Sequence, residues 1–230
     1  MAKGAENLKK KTQRIFAGIL AILVSIAMVG SGLLVFFFND DEQPYGSNGS
    51  NQTNTAKAEY DAQKLRIVGL VEKAKQDPGN IRLQKALGDE YYDAGLTAEA
   101  VAPTEVDGHY KQAVVAYQNV LKTDKDPSVM VDMATAAFKS GDNDLADKSF
   151  KEAIALKPDF YNGLFNYGVF LAYVKQDMSA AIAQWQKAQE IAQTDQEKEH
   201  IKLILSQAQS QLKNNEAPAA DGLSNPTLKE

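Results

Sequence analysis

Side chains able to do covalent or metal chemistry are scarce in this 230-residue chain. It has no cysteine and two histidines, His109 and His200. That excludes a disulfide, a thiolate metal or iron–sulfur site, a cysteine nucleophile and a histidine-rich metal centre. No Gly-rich phosphate loop, His-x-x-x-His pair or Ser–His–Asp order occurs. The nearest approach to a carboxylate cluster is Asp89, Glu90 and Asp93. Asp89 and Asp93 share a helix face at four-residue spacing, but with no His or further acid nearby they read as a solvated face, not a cation site. The expectation is a protein that is no enzyme and needs no cofactor, metal or small-molecule substrate. Its function must then lie in a surface.

Charge and hydropathy are unevenly distributed. Mean hydropathy is −0.37, yet Ile15 to Phe38 holds no charged residue and fifteen Ile, Leu, Val and Phe. As a helix these 24 residues reach roughly 36 Å at about 1.5 Å each, enough for a hydrocarbon core of about 30 Å. Fifteen such side chains at about −0.3 to −0.6 kcal/mol each favour insertion by several kcal/mol. A cleaved signal peptide is the competitor, but the run continues through Leu33–Phe38 past its small-residue cluster, Gly30-Ser31-Gly32. Residues 15–38 therefore read as an uncleaved transmembrane helix. Residues 1–14 carry +4 of a total of −5, leaving −9 on the rest, so the basic N-terminus is expected in the cytoplasm and all that follows outside it. The acidic remainder also argues against nucleic acid as partner. Residues 39–57, rich in Gly, Ser, Asn and Thr, read as a flexible linker, and residues 215–230 as a disordered tail.

Between them, residues 58–214 repeat. Ala113, Tyr117 and Val120 recur as Ala146, Phe150 and Ala153, 33 residues on, and as Ala181, Trp185 and Ala188, 35 further. Ahead of each triplet lies a helix with a small residue: Leu87-Gly88 with Tyr91, Met133-Ala134 with Ala137, and Tyr167-Gly168 with Leu171. These positions resemble the tetratricopeptide repeat family, whose L-G-x-x-Y and A-x-x-x-F pattern recurs every 34 residues. The resemblance implies an all-α helical-hairpin solenoid of about three repeats. Periodicity agrees: each copy offers one helix ending near Gly95, Gly141 or Lys175 and a second with an apolar face. Ala58–Gln76 is expected as a front cap. Thr194 and Glu197 form a capping box opening a terminal helix with Ile201, Ile204, Leu205, Ala208 and Leu212 on one face. In the first copy about thirteen extra residues around Leu96–Gly108 separate Gly88 from Ala113, and read as a partner-contact or packing loop. His109 at its end reads as a surface residue at a helix start.

The family resemblance implies that the first helix of each copy lines a groove. Carried over, the groove positions are Lys85, Asp89 and Tyr92; Val131, Thr135 and Phe138; and Phe165, Val169 and Tyr173. A terminal-carboxylate clamp needs Lys and Asn at set positions. Lys85 matches, but Asp89 replaces Asn, and Val131 and Phe165 bring no charge. Leu164–Val174 is apolar nearly all round, so Phe165, Val169 and Tyr173 are either covered within the molecule or form an apolar groove wall. The expected function is a membrane-tethered, extracytoplasmic adaptor or assembly factor that binds a segment of an envelope partner protein. Its repeats are also similar to those of bacterial extracytoplasmic proteins of c-type cytochrome biogenesis. The alternative is a structural scaffold subunit of a larger membrane complex, acting by self-assembly.

Overall fold

The computed structural model describes residues 49–216, which form eight α-helices and no strand. They are α1 (Gly49–Gln76), α2 (Ile81–Val101), α3 (Val106–Leu121), α4 (Pro127–Lys139), α5 (Asn143–Leu156), α6 (Tyr161–Phe170), α7 (Met178–Ile191) and α8 (Asp195–Glu216). Within this stretch no helix is long and apolar enough to cross a membrane. The expected cytoplasmic segment 1–14, transmembrane helix 15–38 and nearly all of the tail lie outside the described residues.

Short polar side chains set the starts of these helices. Asn80, Asp126, Asp142 and Asp177 each accept a hydrogen bond from the backbone of the first turn, on Leu83, Ser128, Leu145 and Ala180. Pro127 follows Asp126 at the first helical position, where its missing N–H costs nothing. The capping box before α8 forms as expected: Glu197 N–H donates to Thr194 Oγ1 at 3.1 Å, and the Glu197 carboxylate accepts from the Thr194 N–H at 3.0 Å.

Three antiparallel pairs, α2 with α3, α4 with α5, and α6 with α7, make the three copies, and α8 closes the stack against α7. In the first and third pairs an aromatic ring of the second helix lies against the small residue of the first. A Cβ on Gly88 would come 2.6 Å from the ring of Tyr117, and one on Gly168 would enter the indole of Trp185. Ala134 and Phe150 fill the equivalent places in the middle copy, both buried. Phe150 also packs on Tyr167 and Phe170 of the third copy, with ring centroids 5.7 and 5.8 Å away, so one side chain joins two copies.

The thirteen extra residues are not a loop. Helix α2 passes through Gly95, expected as its end, and continues to Val101; α3 begins at Val106. Gly95 repeats the Gly88 contact about two turns on, since a Cβ there would lie 2.7 Å from the ring of Tyr110. The insertion thus lengthens both helices of the first pair. What they meet is α1, 28 residues long: Ala98, Val101, Ala102 and Val106 cluster with Tyr60 and Ile67. Helix α1 itself begins at Gly49, so residues 49–57 of the stretch read as a linker are helical. Once the packed half of α1 is formed, each added residue costs little even at low propensity, and Lys57 pairs with Asp61 at 2.8 Å one turn on.

The third copy hides a second length change. Its small residue and helix-B alanine, Gly168 and Ala181, are one residue further apart than Ala134 and Ala146. That residue is absorbed as a π-helical turn, Leu171–Lys175, closing α6. Gln176 then takes a left-handed conformation at φ 54°, where the second copy has Gly141 at φ 83°. Burial of Phe150 to 1% exposure makes it the test of this register. Phe150→Ala should lower unfolding free energy by about 3–5 kcal/mol in urea titrations, and a loss under about 1 kcal/mol would contradict the packing described.

Candidate partner-binding groove

The first helices α2, α4 and α6 present side chains to one shared face, because residues at or beside groove positions of neighbouring copies meet. Lys85 of α2 lies 3.9 Å from Asp132 of α4, and the ring of Phe138 on α4 meets that of Tyr173, at the end of α6, edge-on at 5.7 Å. The face has two unlike ends.

At the α2 end the chemistry is ionic. Lys85 Nζ donates to both oxygens of Asp89, at 2.9 and 2.8 Å, and Asp89 also accepts from the buried Tyr117 hydroxyl at 2.9 Å. Burial would lower the Lys85 ammonium, but Asp89, Asp132 and Asp126 together hold it above its ordinary value. Desolvation pushes the Asp132 carboxyl up to about 6; Lys85 pulls it down, while Asp89 and Asp126 add to the rise. Tyr92 is half-buried on Tyr110, with ring centroids 5.4 Å apart, and its phenol is raised by burial first and then by Glu99, Asp132 and Asp93. Lys139, the other cation here, is already paired with Glu99 at 2.9 Å.

At the α6 end the face is apolar. Tyr173 is 43% exposed and leans on Phe138, which itself packs edge-on against the core ring of Phe170 at 5.9 Å. Aromatic contacts of this kind are worth about 0.5–1.5 kcal/mol beyond area burial, so Phe138 and Tyr173 hold each other in place. Val169 is half-buried one turn before Tyr173. The π turn matters here: it shifts the end of α6 by one residue and so sets Tyr173 beside Phe138.

One of the nine positions is closed to a partner, and a second is engaged within the molecule. Val131 is 2% exposed; α6 approaches α4 so closely that a Cβ on Gly163 would sit 3.4 Å from it. Phe165 is half-buried: the His200 ring of α8 lies 4.8 Å away, and it stacks on Tyr161 at 6.0 Å. Within Leu164–Val174, Phe165 is partly taken up by α8, while Tyr173 is exposed. Thr135 faces the groove but spends its hydroxyl proton on the Val131 carbonyl at 2.8 Å.

The histidines are structural in their placement. His109 is half-buried at the start of α3 and engaged from within: its Nε2 lies 2.6 Å from the hydroxyl of the buried Tyr60, which donates to Glu105 at 2.8 Å. His200 packs its ring on Phe165 and is lowered by burial. Among the described residues no group of three or more His, Asp or Glu is placed to hold a metal. Asp132, central to the ionic end, is a residue that the sequence pattern does not single out. It lies one place beyond a groove position of the repeat pattern, and only its alternation with Lys85 across two copies reveals it.

A stack of helix pairs that turns its first helices to a common face is a tetratricopeptide-like solenoid. No protein-family model matches the chain. Over 88 residues it is 28% identical to photosystem I assembly protein Ycf3 of Acaryochloris marina, a stretch of 36% of this chain and 49% of that protein. The chain thus spans about half the length of the curated relative it matches. Among solved structures it is similar to MamA, with TM-score 0.48 and 16% identity over 75% of this chain and 98% of that one. It is also similar to the Yersinia enterocolitica type III secretion chaperone SycD in complex with a peptide of the translocator YopD, with TM-score 0.44 and 17% identity over 56% of this chain and 94% of that one.

An acid raised by folding favours the protonated state, so its contribution to stability is complete below its ordinary value of 3.8 and is lost as pH rises through about 6. Asp132→Asn removes that titration. The variant is expected to match the wild type near pH 4 and to exceed it in stability by pH 7, with the gap opening between. Urea midpoints across this range check it; a gap independent of pH would contradict the assignment.

Proposed function

We propose that this chain is a membrane-tethered, extracytoplasmic interaction module that holds a segment of an envelope partner protein against α2, α4 and α6, as an adaptor or assembly factor. The observation that carries this reading is the half-open aromatic pair of Phe138 and Tyr173, set on the shared face by the π turn. Aromatic side chains held rigidly and left partly wet suit a binding anchor, because little side-chain entropy remains to be lost on contact. The uncharged run 15–38 with basic residues before it supports a tether whose repeats lie outside the cytoplasm. An assembly role agrees with the name of the Acaryochloris marina relative, and biogenesis of c-type cytochromes is the case its repeats resemble.

The second reading, a scaffold that self-assembles, has one observation in its favour. Leu65 and Val68 of α1 are 75% and 66% exposed. One experiment separates the two. Partners are crosslinked in native membranes and recovered with wild type, with Val169→Glu plus Tyr173→Glu, and with Leu65→Glu plus Val68→Glu, the fold being followed by circular dichroism. The groove reading expects the first pair to cut recovery about tenfold or more and the second to leave it unchanged. The opposite pattern would overturn it.

A further inference from the structure

The two ends of the groove specify the chemistry of what it takes, and this step rests on the groove reading above. Lys85 lies 2.8 Å from Asp89 and 3.9 Å from Asp132, and Asp126, which accepts from the Ser128 backbone at the start of α4, acts on the same ammonium. The close bonds of Lys85 go to Asp89 alone. One cation among three anions leaves this end short of positive charge. Lys139, the nearest further cation on α4, cannot make up the difference, because Glu99 and the face of Tyr110 already engage it. Next along the same face come Phe138, Val169 and Tyr173, which bring no charge at all.

We propose that the groove takes a basic amphipathic segment of a partner protein, one Lys or Arg seated among Asp89, Asp126 and Asp132 and an apolar anchor against Phe138, Val169 and Tyr173. An incoming cation would relieve the mutual repulsion of the three carboxylates in a half-buried site, where charge pairs are screened less than on open surface. The same carboxylates repel a free C-terminal carboxylate, so the polarity is the reverse of a terminal-carboxylate clamp. Aromatic surface at the other end supplies attraction that salt does not weaken.

The test uses the full chain in neutral detergent and two synthetic 18-residue peptides, each with the same Leu and single Trp positions, one filled out with Lys and the other with Glu. Binding is read by fluorescence anisotropy of a label on the peptide. The Lys peptide is expected to bind, with affinity falling as salt is raised, and the Glu peptide to bind at least tenfold more weakly. Asp132→Asn should weaken the Lys peptide about fivefold or more, whereas Glu152→Gln, on the exposed surface of α5 beside Lys125, should not. Equal binding of the two peptides, or equal effects of the two variants, means attraction by net charge alone and overturns the proposal. So does a failure of the Lys peptide to bind. The groove reading is judged separately by Val169→Glu plus Tyr173→Glu in the crosslinking experiment: partner recovery lost there, with no preference for Lys here, would leave the groove standing and only its charge preference wrong.

Discussion

Everything in this molecule depends on how closely the two helices of a pair approach. An aromatic ring on the second helix must lie on a residue of the first that has little or no side chain: Tyr117 meets Gly88 and Trp185 meets Gly168, and Phe150 and Ala134 are buried at the equivalent places of the middle copy. The close approach buries large rings and gives each copy its share of core. It also determines which residues are left on the other side of the first helices. Positions one and four residues after the small residue lie at the edge of that contact: Asp89 and Tyr92 touch Tyr117 and Tyr110 of α3 and still border the groove. Groove and core are two sides of one packing rule.

Burying tyrosines in such contacts raises a polar problem with a recurrent solution. The hydroxyls of Tyr60, Tyr110, Tyr117 and Tyr167 each donate to a carboxylate at the edge of the core: Glu105, Glu99, Asp89 and Asp147. In every case burial, helped by the acid, raises the phenol. A phenol bonded to a charged acceptor is worth more than one bonded to a neutral group, and loss of the acid would strand a buried donor. Asp89 therefore belongs to the core through Tyr117 and to the groove through Lys85, which couples the ionic end of the face to the packing beneath it.

The repeated contact was legible in the sequence because it needs particular residue types at fixed spacing, and so were the caps at Asp126 and Thr194. What was not legible depended on partners distant in the chain. Gly95 looks like a helix end; it is a second close-approach site, which becomes apparent only when Tyr110 is placed opposite. The spacing of 33 and then 35 residues was visible, but spacing alone does not distinguish a longer turn from a π-helical one. Val131 fits the groove pattern, yet Gly163 lets α6 come near enough to cover it. Phe165 and the two histidines follow the same logic, since α8 and α1, which cover or bond them, are not bound by the repeat pattern. At the site, Lys85, Asp89 and Tyr173 were found from the pattern and Asp132 was not, because its role arises between copies.

The lengthened first pair has a dynamic consequence. In a stack where each unit touches only its neighbours, the free energy of opening follows the local interface. The α2–α3 pair has two ring-on-glycine contacts instead of one and is roofed along its extra length by α1. The far end is closed by α8 alone. Among the packed helices, amide exchange should therefore be faster in α8 than in α2 and α3, so that the stack opens from its C-terminal end before its first pair does.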